Sequence, residues 1–459
     1  MSQDAKTRLP IGIQTFRKVR EGNLHYVDKT GFALKLVLGG THYFLSRPRR
    51  FGKSLFVDTL KDLFEGNRDL FEGLEAYRHW DWSVRYPVVR LEFGRGNYAE
   101  PGHLQVDLMA QMDSIERLAG VRAQYDTGPQ RLAELLETLH HNSGQRVVVL
   151  VDEYDKPILD ALDQPGMAQA NRDYLRGLYS VIKSSDAHVH FCFLAGVSKF
   201  SKVSLFSGLN NLVDITLEPE YSSICGYAER DLDTVFATEL AGLDRQQIRE
   251  WYNGYSWGGE ERVYNPFDVL LLLRKRALGA WWFETGTPTF LINLLAESGV
   301  PWHRLDGLRA SEALLSTFDV GRIAPEALLF QTGYLTVVES ESRGGRMRYQ
   351  LGYPNREVRE SLNRALLDDL LGSGFEREDQ ETRLLEVLEA ADFGGMHDLL
   401  RSLLAGIPHQ WHGRNPMRSY EGWYASVLYA HFAATGADVR AEESGSIGVN
   451  VRAGSGGAR

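Results

Sequence analysis

The sequence is short of cysteine, of long apolar runs and of positive charge. Two cysteines in 459 residues, Cys192 and Cys225, cannot build a disulfide framework. Cys192 falls inside an apolar run and reads as a satisfied core thiol. No uncharged stretch reaches the roughly eighteen apolar residues that a spanning helix needs. The opening Met1-Ser2-Gln3-Asp4-Ala5-Lys6 lacks an apolar signal core, so no membrane partner and a cytoplasmic location are expected. Lys and Arg total 51 against 61 Asp and Glu, a formal net charge of −10, so the whole molecule is not a polyanion binder. Any nucleic-acid contact then needs a local basic face. What remains is a globular composition, 43% hydrophobic and 24% charged. The length allows about three domains, each able to bury a core.

The most informative stretch runs from His42 to Leu55. Tyr43-Phe44-Leu45 reads as a strand, Ser46 to Phe51 as a tight loop, and Leu55 to Phe64 has helical spacing. Gly52-Lys53-Ser54 stands between loop and helix. Strand, loop, Gly-Lys-Ser and helix make a P-loop, whose amides and helix N-terminus attract phosphate. Arg50, Phe51, Gly52, Lys53, Ser54 and Leu55 are the expected nucleotide contacts, with Lys53 on the outer phosphates and Ser54 on Mg²⁺. The usual first glycine, five positions before Gly52, is Arg47. On pattern alone, a basic turn before a helix is the competing reading.

A second stretch lies about a hundred residues further on. Val147-Val148-Val149-Leu150-Val151 has the look of a strand buried on both faces, and it ends in Asp152-Glu153. Charges at the end of a buried strand need partners. A magnesium nucleotide supplies one: Asp152 would hold the metal and Glu153 would orient and deprotonate the attacking water. The plainer alternative is that these acids cap the next helix.

Around these motifs strands alternate with helices. Strands are expected at 86–93 and 188–195, and helices at 102–119 and 128–140, which implies right-handed crossovers and a parallel sheet. Ligands then sit at the carboxyl ends of the strands. Ser198 falls there, either as a sensor touching the γ-phosphate or the water, or as a serine capping a turn. Lys199 and Lys202 are candidates for neutralising phosphate, in this chain or in a neighbouring subunit of an oligomer. Upstream, Asp28 or Thr30 is expected to cap a helix over 31–38. Gln14, Phe16 and Tyr26 are base-pocket candidates that packing would equally explain.

From 219 to 278 the spacing is helical, including the run from Tyr221 to Tyr227, and Pro266 opens a further helix. Short helices followed by alternating runs at 334–339 and 347–351, joined by Gly344-Gly345, suggest a winged helix. Its 340–348 hairpin carries Arg343, Arg346 and Arg348, which suit a DNA backbone but also an ordinary solvated turn diluted by Glu339 and Glu341.

Taken together, the phrases Tyr26 to Thr30, Arg47 to Ser54, Val151 to Pro157, Gly196 to Ser201, Ser207 to Asn211, Trp251 to Tyr255, Tyr264 to Pro266, Trp282 to Pro288 and Gly352 to Asn355 resemble a known family. The chain is similar to bacterial and archaeal AAA-ATPase-like proteins that carry a PD-(D/E)XK nuclease-like domain at the C-terminus. In that family the Arg-Pro-Arg-Arg-Phe-Gly-Lys-Ser phrase is the usual P-loop. The resemblance implies an α/β P-loop domain over 1–215, a helical lid over 216–285 with Trp251, Tyr252, Tyr255 and Trp257 in its core, a winged-helix-like region over 286–375 and a nuclease-like segment over 376–459. In relatives the last helix carries a glutamate, which Glu421 matches. Their Gly-Arg-x-Asp and Glu-x-Lys strands are replaced here by a glycine-rich run from Gly445 to Arg459, expected to be disordered. A truncated nuclease fold without metal-dependent cleavage follows. Three functions compete: an ATPase using ATP and Mg²⁺, a nucleotide-dependent switch or scaffold, and a DNA-binding module.

Overall fold

The computed structural model describes residues 8–122, 124–199, 205, 209, 211–286, 291–292, 294–295, 298, 300–315, 318–319, 322–371, 375–405, 421–441 and 449–452. The chain divides into two compact units: 1–243 with 256–277 and 312–333, and 244–255 with 278–311 and 334–459. Packing thus regroups stretches that the linear order separates, and the helix Pro325–Thr332 belongs with the first unit, apart from the hairpin that follows it. Among the described residues no helix is long and apolar enough to cross a membrane.

In the first unit α1 (Phe16–Glu21) and α2 (Thr30–Gly39) precede β1 (His42–Ser46), and α3 (Lys53–Phe64) follows the loop. Next come α4 (Glu75–His79), β2 (Val88–Glu92), α5 (His103–Ala119), α6 (Gly128–Ser143) and β3 (Val147–Asp152). After α7 (Lys156–Leu159) and α8 (Pro165–Ser184), β4 (Val189–Gly196) and the two-residue β5 (Val213–Asp214) complete the sheet. Its five strands run in the order β2-β3-β4-β1-β5, all parallel.

Every residue of β1 and β3 is buried, as their unbroken apolar runs require of strands covered on both faces. β2 alternates half-buried and buried because it lies at the sheet edge. Helices α5, α6 and α8 cover the sheet with apolar faces such as Leu104, Leu108 and Met112 on α5. Each fully buried valine or leucine is worth roughly 1.5–3 kcal/mol.

Asp28 serves the start of α2: its Oδ1 accepts from the Thr30 amide at 2.8 Å and the Thr30 hydroxyl at 2.7 Å. Its Oδ2 accepts from the Glu75 amide at 2.7 Å, so one carboxylate orients two helices. Pro266 opens the helix Pro266–Lys275, with Asn265 accepting from the Phe267 amide at 2.8 Å.

The segment from Tyr221 to Tyr227 departs from its helical expectation. It holds the end of a 3-10 turn, Pro219–Tyr221, and then enters β6 (Tyr227–Ala228), which pairs with β7 (Val263–Tyr264). Gly226 takes φ +87, which a continuing helix does not allow.

The second unit holds an antiparallel sheet of β8 (Leu308–Ser311), β11 (Thr336–Arg343) and β12 (Arg346–Gly352) in the order β11-β12-β8. The intervening β9 (Phe318–Asp319) and β10 (Arg322–Ile323) pair with each other in the first unit. The expected hairpin is present, and Gly344 and Gly345 take φ +60 and +73, the two positive values that a two-residue loop matching the strand twist requires. Helices follow at Phe375–Glu389, Phe393–Ala405 and Glu421–Ala434, and Leu384, Tyr429, Phe432, Ala433 and Val439 share one core. Within the glycine-rich run, Val449–Arg452 forms β14, antiparallel to β13 (Asp438–Ala441), in place of the expected disorder, while 445–448 and 453–459 lie outside the described residues.

Candidate functional site

The loop between β1 and α3 is held from below by a buried arginine. Arg47 is 0% exposed. Its guanidinium donates to the carbonyls of Ser46 at 2.8 Å, Thr216 at 2.9 Å and Tyr221 at 3.0 Å. It also lies 4.1 Å from the centroid of Trp257. Burial lowers its pKa to about 10, which leaves it charged at neutral pH. A glycine here would forfeit all of these contacts. The loop carries arginine rather than glycine here because this position anchors it to residues 216–221 and to Trp257.

Above that anchor, Arg50 at φ +69 and Gly52 at φ +93 turn the backbone into α3. Nothing would touch a Cβ at Gly52, so conformation rather than crowding favours glycine there. Phe51 is buried edge-on against Trp257, with ring centroids 5.5 Å apart, and its carbonyl accepts from the Gly226 amide at 3.1 Å. Arg50 is exposed and lies 4.7 Å from the Phe267 ring centroid. Ser54 and Leu55 are half-buried in the first turn of α3.

Lys53 is buried, and its Nζ donates to the carbonyls of Arg47 and Pro48, both at 2.8 Å. Burial lowers its pKa, against the opposing pull of Glu153, Asp152, Cys225 and Asp155. The ammonium thus closes the loop on itself while facing the carboxylates at the end of β3.

β4 separates β3 from β1, so the two motifs approach each other across the end of β4. Asp152 is 1% exposed, its Oδ1 accepts from the Glu153 amide at 3.1 Å, and the Ser54 hydroxyl is near enough to draw its pKa down. Its Oδ2 is buried with no hydrogen-bond partner. Burial raises the pKa of Asp152 against the pull of Ser54, Lys53 and Arg90. Ser54 and Asp152 would fit Mg²⁺ by donor type, with this vacant lone pair to offer it.

Glu153 adopts φ +52, a strained value for a glutamate. Its carboxylate fits beside Gly94, where a Cβ would come within 3.2 Å of Oε2. Burial raises its pKa too, with Lys53 pulling the other way and Arg49 contributing more weakly.

Asp155 is a residue that the sequence reading passed over, although it stands in the quoted acidic phrase. It is buried and accepts from the amides of Val197 at 3.1 Å and Ser198 at 2.6 Å, and from the Ser198 hydroxyl at 2.6 Å. The Tyr154 hydroxyl adds a bond to the Ser198 carbonyl at 2.7 Å. Ser198 is thus at the strand end as expected, with its hydroxyl engaged by Asp155. Lys199 is ion-paired to Asp214, and its amide donates to Gln331 at 2.9 Å. Lys202 lies outside the described residues.

The upstream base-pocket candidates are largely occupied by packing. Phe16 is fully buried against Tyr26 at 5.2 Å and Phe71 at 4.8 Å. The Tyr26 hydroxyl meets Thr59 at 3.3 Å, and Gln14 is exposed. Of the four aromatics assigned to the lid, Trp257 packs on Phe51 of the β1–α3 loop in the first unit, while Trp251, Tyr252 and Tyr255 belong to the second. Cys192 and Cys225 are both buried and free.

Residues 10–206 match the family described as "Predicted AAA-ATPase". The chain is also 55% identical over 445 residues to a protein of Azotobacter chroococcum mcd 1 described as "Uncharacterized protein in vnfD 5'region". That alignment covers 97% of this chain and 86% of the relative. No solved structure matches the chain.

Proposed function

We propose, from the match of residues 10–206 to the predicted AAA-ATPase family, that the chain binds ATP with Mg²⁺ and hydrolyses it. The observation that carries this reading is the buried, unpartnered Oδ2 of Asp152 at the end of β3, a carboxyl raised in pKa by burial and drawn back down by Ser54 and Lys53 at the start of α3. The loop amides of residues 50–55 and the N-terminus of α3 take the phosphates. Lys53 exchanges its two loop carbonyls for the outer phosphate oxygens. Ser54 and Asp152 hold Mg²⁺, which when bound neutralises charge on the phosphate oxygens. Glu153 accepts a proton from the attacking water as its oxygen bonds to the γ-phosphorus and the bond to ADP breaks. A carboxylate whose pKa is lifted by burial is a better base near neutral pH. Ser198 is the group that would meet the γ-phosphate, and to do so its hydroxyl has to leave Asp155.

Phosphate release by the full chain, with and without duplex DNA, tests the proposal. Lys53→Ala should abolish both ATP binding and release. Glu153→Gln should keep binding and lose roughly 10²–10⁴-fold in turnover. Release that persists in Lys53→Ala overturns the enzymatic reading.

A nucleotide-dependent switch with little turnover is the second reading. It is favoured by Ser198 and Lys199 both being held by protein groups. Tight ATP binding with no phosphate released in a single turnover would select it.

A further inference from the structure

The three-stranded sheet of the second unit has two unlike faces. Leu308, Ala310, Tyr349 and Leu351 pair across β8 and β12 and fill the inner face, where Ala310, Tyr349 and Leu351 are buried. The alternate residues form the outer face: Arg309 opposite Gln350 and Ser311 opposite Arg348. Across the hairpin, Glu339 opposes Gln350, Glu341 opposes Arg348, and Arg343 opposes Arg346. Directly opposed residues share a face, so one surface carries Arg309, Arg343, Arg346 and Arg348 together with Glu339 and Glu341.

All four arginines are exposed. Among the described residues none of them enters an ion pair, although Arg348 stands directly across from Glu341. Arg343 and Arg346 face each other as like charges at the ribbon end, an arrangement that is unfavourable without an anion between them. Same-face neighbours along a strand are roughly 6.6 Å apart and adjacent strands about 4.8 Å apart. The four guanidinium groups therefore form one patch on the scale of successive phosphates, too extended for one small anion. In a chain of net charge −10 this is a local basic face.

We propose that this face docks the phosphate backbone of duplex DNA through Arg309, Arg343, Arg346 and Arg348. The contact is to backbone rather than to base edges, so it is insensitive to sequence. Arg309 extends it beyond the hairpin that the sequence pointed to. Glu339 and Glu341 weaken it. The inference does not depend on ATP hydrolysis.

The test is anisotropy of a labelled duplex of about 20 base pairs titrated with the full chain, without nucleotide, from about 50 to 200 mM salt. Four phosphate contacts predict a log–log slope near −3.6, a fall of about 100-fold in affinity over that range. Arg309→Gln alone should reduce the slope by about one. The fourfold Arg→Gln variant should remove binding while keeping its unfolding midpoint, and Glu339→Gln with Glu341→Gln should tighten it several-fold. Absence of binding at about 50 mM salt overturns the proposal, as does a slope unchanged in the fourfold variant. So does arginine-dependent binding of phosphatidylserine vesicles, or of a polyglutamate peptide, with none of the duplex.

Discussion

Arg47 and Arg346 carry the same side chain under opposite conditions. Arg47 is fully buried, with three carbonyl bonds and an indole face, whereas Arg346 is exposed on a ribbon beside like charges. A buried guanidinium has left water, so every donor that finds a partner fixes the position of a neighbouring chain segment. An exposed one keeps its water, and what it does is decided by what arrives. Within the first unit the same contrast divides the carboxylates: Asp155 is satisfied by amides and a hydroxyl, while Asp152 keeps one oxygen unpartnered. Asp155 is braced as scaffold, whereas Asp152 keeps a free lone pair beside Lys53.

The sharpest way to break this comparison is Arg47→Ala. It should cost about 3–5 kcal/mol in urea unfolding and abolish ATP binding, because three carbonyls lose their donor. A loss below about 1 kcal/mol would mean that the anchor is idle. Asp152→Asn should act in the other direction. Burial raises the folded pKa values of Asp152, Glu153 and Asp155, so the stability linked to these groups is fully present below the ordinary carboxylate range and is lost as pH rises through the folded values. Without metal, Asp152→Asn is therefore expected to stabilise the chain at pH 7, with the gain shrinking as pH falls toward the ordinary carboxylate range. Added Mg²⁺ should raise the melting midpoint of the wild-type chain only. A destabilised apo variant at pH 7 would show that Asp152 is a structural cap.

Ser198→Ala is expected to lower stability by about 1 kcal/mol. If the hydroxyl only braces the end of β4, turnover stays unchanged; if it meets the γ-phosphate, kcat falls while ATP binding holds. The smallest effect belongs to Arg346→Gln, whose unfolding midpoint should stay within about 0.5 kcal/mol of wild type. A larger loss there would show that the outer face is held by contacts within the protein.

Much of the candidate site's geometry was legible because its signals are local. A buried parallel strand writes itself as an apolar run, and the turn into α3 shows in Gly52 next to Lys53 and Ser54. Asn265-Pro266 and Gly344-Gly345 likewise announce a helix start and a hairpin, since cap and turn chemistry act over a few residues. What stayed illegible depends on partners distant in the chain. Arg47 reads as a broken motif until Thr216, Tyr221 and Trp257 are beside it. Asp155 looks like one more surface acid until Ser198 arrives. The two-residue β5, the pairing of β6 with β7, and the strand at Val449–Arg452 are too short to carry a period of their own. At Val449–Arg452, pairing with Asp438–Ala441 overrides a glycine-rich composition.

By itself, then, the order of residues determined the parallel sheet, the phosphate-type loop and the acids at the end of β3, because each is encoded in a window of ten or so neighbours. Only the folded chain decided which arginine became an anchor and which became surface, that Ser54 and Lys53 would act on Asp152, and that Arg309 would join Arg343, Arg346 and Arg348 on one face. Burial and strand register are properties of chain segments brought together from far apart. No single stretch contains them.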